Sequence, residues 1–329
     1  METAKDIFAQ VLPADRKVVA RGEAYAPANI ALSKYWGKRD QALNLPLNAS
    51  LSISLGKLGT TTIVEPAEAD TLVFNGKDLR SNDPFATKVW KFVDLFRGDN
   101  GSSLSIETTN TIPTAAGLAS SASGFAALVM ALDAAFQTNL SKADLSMLAR
   151  FGSGSATRSL WHGFVRWNKG EAADGTDSFG EPLDIDFPDL RIAIVPVDTG
   201  PKAHTSRDGM NHTVATSPLF HAWPARADAD CAALEAALRS GDFETAGQIA
   251  EANALAMHAT MMAARPALTY LKPKSWEVLE TLWNARADGV SAYATMDAGA
   301  NVKLIYQAAS QFDILSAFPS ATTLNPFDL

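Results

Sequence analysis

The stretch Thr109 to Phe136, TNTIPTAAGLASSASGFAALVMALDAAF, runs from a polar strand end through a Pro-Thr-Ala-Ala-Gly turn into an Ala-rich helix. It sets Gly117 in the turn and Ser120, Ser121 and Ser123 in the first helical turns. A helix N-terminus leaves backbone N–H groups without partners and carries partial positive charge, so small residues there let an anion approach closely. The same residues also make an ordinary capped helix start, because serine hydroxyls satisfy those N–H groups. A phosphate cradle and a plain helix cap are thus both open on spacing alone.

Further groups elsewhere could meet an anion. Lys34, Tyr35, Lys38, Arg39 and Asp40 crowd beside Trp36 and Gly37, a mixture that suits either an anion grip of ammonium and phenol groups or a solvated turn over a buried indole. Arg158 follows the Gly152-Ser153-Gly154-Ser155 turn, where a guanidinium can hold a carboxylate or phosphate through two parallel hydrogen bonds or simply lie on the surface. Lys202, Thr205, Ser206 and Arg207 form a second anion-binding group or a polar helix start. Asp297 stands beside glycine between two strand-like runs, where a carboxylate can enter a cleft, although such turns are common for purely local reasons. His258, among Met and Ala in a helical run, is assigned to packing.

Composition limits the partners. With 329 residues, 47% of them hydrophobic, the chain can bury a full core in two domains or one large one. A formal charge of −8 argues against broad nucleic-acid or anionic-membrane binding, so an anionic substrate needs a local basic pocket. The single cysteine, Cys231, excludes an internal disulfide, and no Cys/His spacing suggests structural zinc. The first twenty residues lack the apolar run of a secretion signal, and no apolar run reaches membrane-spanning length. A cytoplasmic location is the expectation.

The elements that must position these residues alternate between strand and helix. Leu51, Ile53 and Leu55 alternate with Ser50, Ser52 and Ser54, which predicts a half-buried strand from Asn48 to Leu55, with Thr60 to Val64 returning across a Gly56 to Gly59 turn. Asn75-Gly76 marks a tight turn, Asp83 to Phe96 a helix, and Leu104 to Thr108 a strand feeding the serine-rich helix. Ser141 caps a further helix, and Glu171 to Glu181 reads as an exposed loop. Arg191 to Val197 is a buried strand and a point of passage into a second domain. Helices follow over Ala229 to Leu238, Phe243 to Ala264 and Ser275 to Ala285, then strands over Val290 to Thr295 and Val302 to Tyr306.

Five blocks in order, APANIALSKYWGKRD with LNLPLNASLSISL, TIPTAAGLASSASGFAAL, RFGSGSATRSLWHGF, SRDGM with TSPLF, and YATMDAGANVK, resemble the GHMP small-molecule kinase superfamily. Within it they resemble the mevalonate diphosphate decarboxylases. EANALAMHAT also resembles its counterpart, so the likeness runs from about residue 21 to 306. The resemblance implies an α+β fold of two domains, an N-terminal ribosomal-protein-S5-like ATP/phosphate domain over 1–195 and a C-terminal GHMP-type α/β sandwich over 196–329 supplying the catalytic Asp. The active site would lie in the cleft between them, and the enzymes of the family usually form homodimers.

The implied reaction phosphorylates the 3-hydroxyl of mevalonate 5-diphosphate with ATP, after which phosphate and CO2 leave to give isopentenyl diphosphate. By resemblance Gly117, Ser120, Ser121 and Ser123 belong to the phosphate loop that holds ATP with Mg2+, and Asp297 is the catalytic carboxylate. Arg158 lies near the substrate C1 carboxylate and Asp297, and Lys34 is the active-site lysine. Tyr35, Lys38, Ser206 and Arg207 grip the 5-diphosphate, with Asn29 a further pocket residue. Two residues depart from the family pattern: His162, which could narrow the pocket or add a donor, and Ala300, where proline is frequent. They leave open a relative acting on mevalonate or its 5-phosphate, or a nucleotide-binding regulator without catalysis.

Overall fold

The alternating Leu and Ser run does not turn back at Gly56. In the computed structural model, which describes residues 3–112, 120–198, 200 and 203–328, it continues as one 17-residue strand from Ser50 to Pro66. Gly117 and Lys202 lie outside the described residues. In chain order the strands are β1 (Gly22–Ser33), β2 (Lys38–Asp40), β3 (Leu45–Pro46), β4 (Ser50–Pro66), β5 (Thr71–Phe74), β6 (Lys77–Asp78) and β7 (Leu104–Asn110), then β8 (Phe164–Trp167), β9 (Gly180–Leu183), β10 (Leu190–Val195), β11 (Ala292–Thr295), β12 (Val302–Gln307) and β13 (Thr322–Leu324). The helices are α1 (Ala4–Val11), α2 (Pro84–Arg97), α3 (Ser120–Phe136), α4 (Lys142–Gly152), α5 (Ser206–Thr216), α6 (Trp223–Arg239), α7 (Phe243–Met262), α8 (Pro273–Ala287) and α9 (Gln311–Ala317).

β4 is the spine of a seven-stranded sheet ordered β6-β5-β7-β4-β8-β9, with β1 also paired to β4. The expected Gly56 to Gly59 turn is instead a bulge: Pro27 faces Gly59 and Asn29 faces Ser54, so four residues of β4 oppose Ala28 alone. A Cβ at Gly59 would lie 2.2 Å from the Ala26 carbonyl oxygen, so glycine lets the strands close up rather than reverse. The serine face, expected to meet solvent, is buried: Ser50, Ser52 and Ser54 are each at most 1% exposed. Two of its hydroxyls are used by neighbours, Ser54 Oγ accepting the Gly163 N–H at 2.8 Å and Ser50 Oγ accepting from Arg158.

α3 is apolar on nearly every side because it lies between the sheet and α2, α4 and α1, in a core that includes Phe92, Phe96, Phe125 and Leu132. A Cβ on Gly22 would sit 2.1 Å from the Ala131 carbonyl oxygen, so the helix rests directly on β1. The second sheet is antiparallel in the order β11-β12-β10-β13. One of its faces packs on α8 and α9 through Leu279, Leu282, Leu304 and Ile314. The other joins β1, β4, α6 and α7 in a core containing Ile30, Ile53, Ile192, Leu234 and Ile305. Full burial of each such side chain contributes about 1.5–3 kcal/mol, so the two α+β domains share a continuous apolar seam. β10, placed before residue 196 in the sequence, pairs with β12 and β13 and so belongs to this second sheet.

Candidate active site

The cleft is assembled from chain segments that meet only in three dimensions. Lys34 follows β1, Arg158 ends the 3₁₀ turn Gly154–Arg158 after α4, and Asp297 lies in the turn between β11 and β12. These line one cavity of about 350 Å³ with Tyr35, Lys38, Ser206 and others. Asn253 on α7 fixes the Lys34 backbone by accepting its N–H at 2.8 Å, while Asn48 Nδ2 donates to the Lys34 carbonyl at 2.8 Å. Lys34 Nζ then donates to Asp297 Oδ1 at 2.8 Å and to the Ala31 carbonyl at 2.7 Å. Lys303 Nζ, on β12, approaches Asp297 Oδ2 at 3.3 Å.

Burial alone would raise the Asp297 carboxyl, but the two ammonium groups outweigh it and hold the group well below the usual carboxylate range. Its side chain keeps 35% of its surface open, so an ionised oxygen pair is presented to the cleft. Burial pushes Lys34 down to about 8, against the opposing pull of Asp297. The Asp297 carbonyl accepts from the Gly299 N–H at 2.7 Å and lies 3.1 Å from His258 Nε2, which places a ring N–H on it. Burial drives His258 down to about 4, so it is neutral near pH 7. His258 is therefore packed, as expected, yet it packs directly on the turn that carries Asp297.

Arg158 is not a surface residue: it is 2% exposed, donates to Ser50 Oγ and lies over the Trp167 ring at 5.8 Å from its centroid. Gly154 lets this segment fit, since a Cβ there would stand 2.9 Å from Trp167. Burial lowers the Arg158 guanidinium to about 10, partly offset by Asp297. No carboxylate lies within 4.0 Å of it among the described residues, and its Nε has no partner. A buried cation in this state is completed by an arriving anion.

The far wall is cationic. Lys38 and Lys88, the latter on α2, are each pushed down to about 8 by burial and by the Arg207 charge. Lys88 also sits over the Phe125 ring at 4.7 Å. Ser206 and Arg207 open α5, whose N-cap Thr205 accepts the Asp208 N–H and leaves other first-turn N–H groups available. The Tyr35 hydroxyl is buried without a hydrogen-bond partner.

The structure gathers Lys34, Tyr35, Lys38, Ser121, Arg158, Ser206, Arg207 and Asp297 in one cleft. Ser121 Oγ is 3.3 Å from Ser153 Oγ, itself 3.2 Å from Ser155 Oγ, so a row of hydroxyls runs along its edge. Ser120 and Ser121 also line an adjoining apolar cavity bounded by Leu72, Phe74, Val89 and Phe125. Ser123 is turned away: it is fully buried and pairs with Thr60 Oγ1 at 2.8 Å. Asn29 does not line the cleft either, because its amide is spent on the Ser155 carbonyl and Ser159 Oγ, tying β1 to the Arg158 turn. His162 stacks on Tyr25, with ring planes 15° apart, outside the cleft lining, so it neither narrows the pocket nor donates into it. The turn at Ala300 is held without proline, its carbonyl accepting from Ser275 Oγ at 2.7 Å.

Three residues escaped the sequence reading: Lys303 within the strand Val302 to Tyr306, Lys88 within the helix Asp83 to Phe96 and Asn253 within the helix Phe243 to Ala264 were given no role, and the lysine between Val302 and Leu304 was the one available signal.

Residues 26–180 match the model of the diphosphomevalonate decarboxylase-like N-terminal domain, and residues 192–325 that of the mevalonate 5-diphosphate decarboxylase C-terminal domain. The chain is 38% identical to the diphosphomevalonate decarboxylase of Aspergillus fumigatus, covering 88% of this chain and 78% of the relative. It is 36% identical to the human enzyme of that name, over 88% and 77%. The crystal structure of mevalonate diphosphate decarboxylase from Staphylococcus aureus superposes with a TM-score of 0.88 at 38% identity, over 93% of this chain and 95% of that one. A structure described as MDDEF in complex with MVAPP, AMPPCP and magnesium gives 0.86 at 39% identity, over 92% and 96%. With its two domains matched in order and its cleft residues assembled at their junction, the chain belongs to the diphosphomevalonate decarboxylase family.

Proposed function

We infer that this chain is a diphosphomevalonate decarboxylase of the mevalonate pathway, converting mevalonate 5-diphosphate and ATP into isopentenyl diphosphate, ADP, phosphate and CO2 through the positioning its cleft supplies. The carrying observation is the opposition of two charge patterns: Asp297 between two ammonium groups, with unpaired Arg158 lining the same cavity, and Lys38, Lys88 and Arg207 without carboxylates. In the second group Lys38 and Arg207 suit the 5-diphosphate and Lys88 the phosphates of ATP, while the first group suits a hydroxyl and carboxylate at the other end of the substrate.

Asp297 accepts the hydrogen bond of the 3-hydroxyl. A carboxylate held so far below its ordinary range is a weak base, so it orients the hydroxyl and takes its proton only as the new O–P bond forms. Lys34 offsets negative charge near the transferred phosphoryl group, and Arg158 holds the substrate carboxylate. The C3–O bond then breaks with its electrons leaving on phosphate, and the C1–C2 pair becomes the C2=C3 bond as CO2 departs. We place the adenine base against the apolar residues beside Ser120 and Ser121, Leu72, Phe74 and Val89 among them, with the phosphates toward Ser121 and Lys88. Among the described residues no cluster of three or more His, Cys, Asp or Glu could hold a metal. Mg2+ entering on ATP needs few protein ligands, and the Ser121, Ser153 and Ser155 hydroxyls fit that role. When bound, it neutralises phosphate charge.

The domain passage is proposed between β9 and β10, earlier than residue 195, supported by the pairing of β10 within the second sheet. A homodimer is proposed from the resemblance, supported by exposed Trp276, Trp283, Phe312 and Leu315 on α8 and α9. No helix among the described residues is long and apolar enough to cross a membrane. Purified protein incubated with ATP and mevalonate, its 5-phosphate or its 5-diphosphate, with ADP and CO2 followed separately, tests the activity. Release of both from the diphosphate is expected; ADP without CO2, or preference for another substrate, overturns it.

A further inference from the structure

We propose that Lys303 is a positioning residue of this site, an ammonium that never meets the substrate and acts by fixing the second oxygen of Asp297. The inference rests on the decarboxylase reading and deepens it. Lys303 stands on β12 opposite Ile194 of β10 and Thr295 of β11, beside Ile305 and with fully buried strands on either side. Its side chain is 1% exposed, and the one ion pair it makes among the described residues is with Asp297 Oδ2 at 3.3 Å. Lys34 lines the cleft, whereas Lys303 does not. Two buried lysines thus divide one carboxylate between them, and only one of the two can touch a ligand.

Packing does not require a charge there. A buried ammonium costs several kcal/mol to desolvate unless it is well paired, and an unbranched apolar side chain of similar length would suit the surrounding strands. Asp297 already has Lys34 as counterion, so a second lysine is superfluous for neutralising it. What it adds is geometry. With Oδ1 on Lys34, Oδ2 on Lys303 and the carbonyl held by Gly299 and His258, the carboxylate cannot turn about its side-chain bond. A misplacement of about 1 Å at a reacting group can cost on the order of 100-fold in rate.

A second consequence follows from charge. Around Asp297 stand Lys34 after β1, Lys303 on β12, Arg158 on the 3₁₀ turn and neutral His258 on α7. Lys34 and Lys303 bracket the same carboxylate, so they repel each other, and Lys303 helps keep Lys34 near 8. Removing the Lys303 charge raises Lys34 and moves the basic limb of kcat/KM to higher pH.

The test compares wild type with Lys303→Met and Lys303→Arg, measuring CO2 release, KM for mevalonate 5-diphosphate and the pH profile. For Lys303→Met a fall in kcat of about 10-fold to 100-fold is expected, with KM within about twofold, and the basic limb displaced upward by up to about one unit. Lys303→Arg keeps the charge and leaves the basic limb in place. Wild-type kcat and profile in Lys303→Met overturn the proposal, as do equal losses in both variants with an unmoved limb, which is what a packing role gives. If Lys303→Met does not fold, Lys303→Gln carries the same measurement. A wild type that releases no CO2 sinks the decarboxylase reading instead, so the two failures are distinct.

Discussion

At one end of the cleft Asp297 has an ammonium on each oxygen and its backbone tied from α7, whereas at the other Lys38, Lys88 and Arg207 repel one another with no carboxylate between them among the described residues. At the first end Asp297 is held before any ligand arrives and only Arg158 awaits an anion, which suits a step where orientation decides the rate. The second is incomplete: its lysines are held down near 8 and the Tyr35 hydroxyl lacks a partner, so an incoming anion relieves repulsion and satisfies a donor at once. Rate should therefore depend on the pinned end and affinity on the unsatisfied one.

Asp297→Asn tests that division most severely. It keeps shape but removes the charge and the proton acceptor, and kcat should fall by about 10³-fold or more. ATP affinity should stay within about threefold, because only the transferred phosphoryl group reaches the Asp297 end and the rest of the nucleotide is held away from it. Near-normal CO2 release from this variant would remove Asp297 from the mechanism. Lys88→Met attacks the opposite end: KM for ATP should rise roughly tenfold, about 1.4 kcal/mol, with kcat much less affected. A collapse of kcat at saturating ATP would show that the ends are not separable.

Tyr35→Phe is milder. The phenol is driven upward by burial, so it remains protonated and acts as a neutral donor at every working pH. Losing one such hydrogen bond costs about 1 kcal/mol, expected as roughly a fivefold higher KM for mevalonate 5-diphosphate. An unchanged KM would mean that the hydroxyl does not reach the ligand.

The contrast also explains what the sequence could and could not reveal. The phosphate-facing residues carry local signatures: Ser121 lies in the first turn of a helix, and Ser206 and Arg207 open another. Helix starts, the Asn75-Gly76 hairpin and the strands around Asp297 follow from short-range periodicity and turn chemistry, and so were legible. The pinned end has no such signature, because Lys34, Arg158, Asn253, His258 and Lys303 meet only when β1, β12, α7 and the 3₁₀ turn are packed. Periodicity failed at β4 for the same reason. Alternation marks which residues share a face, but that the serine face is covered by the Arg158 segment and its neighbours is a tertiary fact. The bulge at Gly56 to Gly59 likewise has the composition of a turn, and only the close approach of β1 shows otherwise.

His258 is expected to leave the rate least changed and probes the pinned end through stability instead. It is 1% exposed, its Nδ1 has no partner, and burial followed by Lys34 repulsion brings it from 6.5 to about 4. Above pH 6.5 both folded and unfolded chains carry the neutral ring, and the group has no effect on pH dependence. Between 6.5 and 4 the unfolded chain binds a proton that the native one refuses, so stability declines as pH falls, by about 2 kcal/mol at pH 5. His258→Asn removes this slope while its amide can still donate to the Asp297 carbonyl. Denaturant unfolding at pH 7.5 and pH 5 should therefore show wild type losing about 2 kcal/mol more than the variant over that interval. Equal losses would mean that the ring accepts its proton in place, against the lysines, and that the turn holding Asp297 is looser than its hydrogen bonds imply.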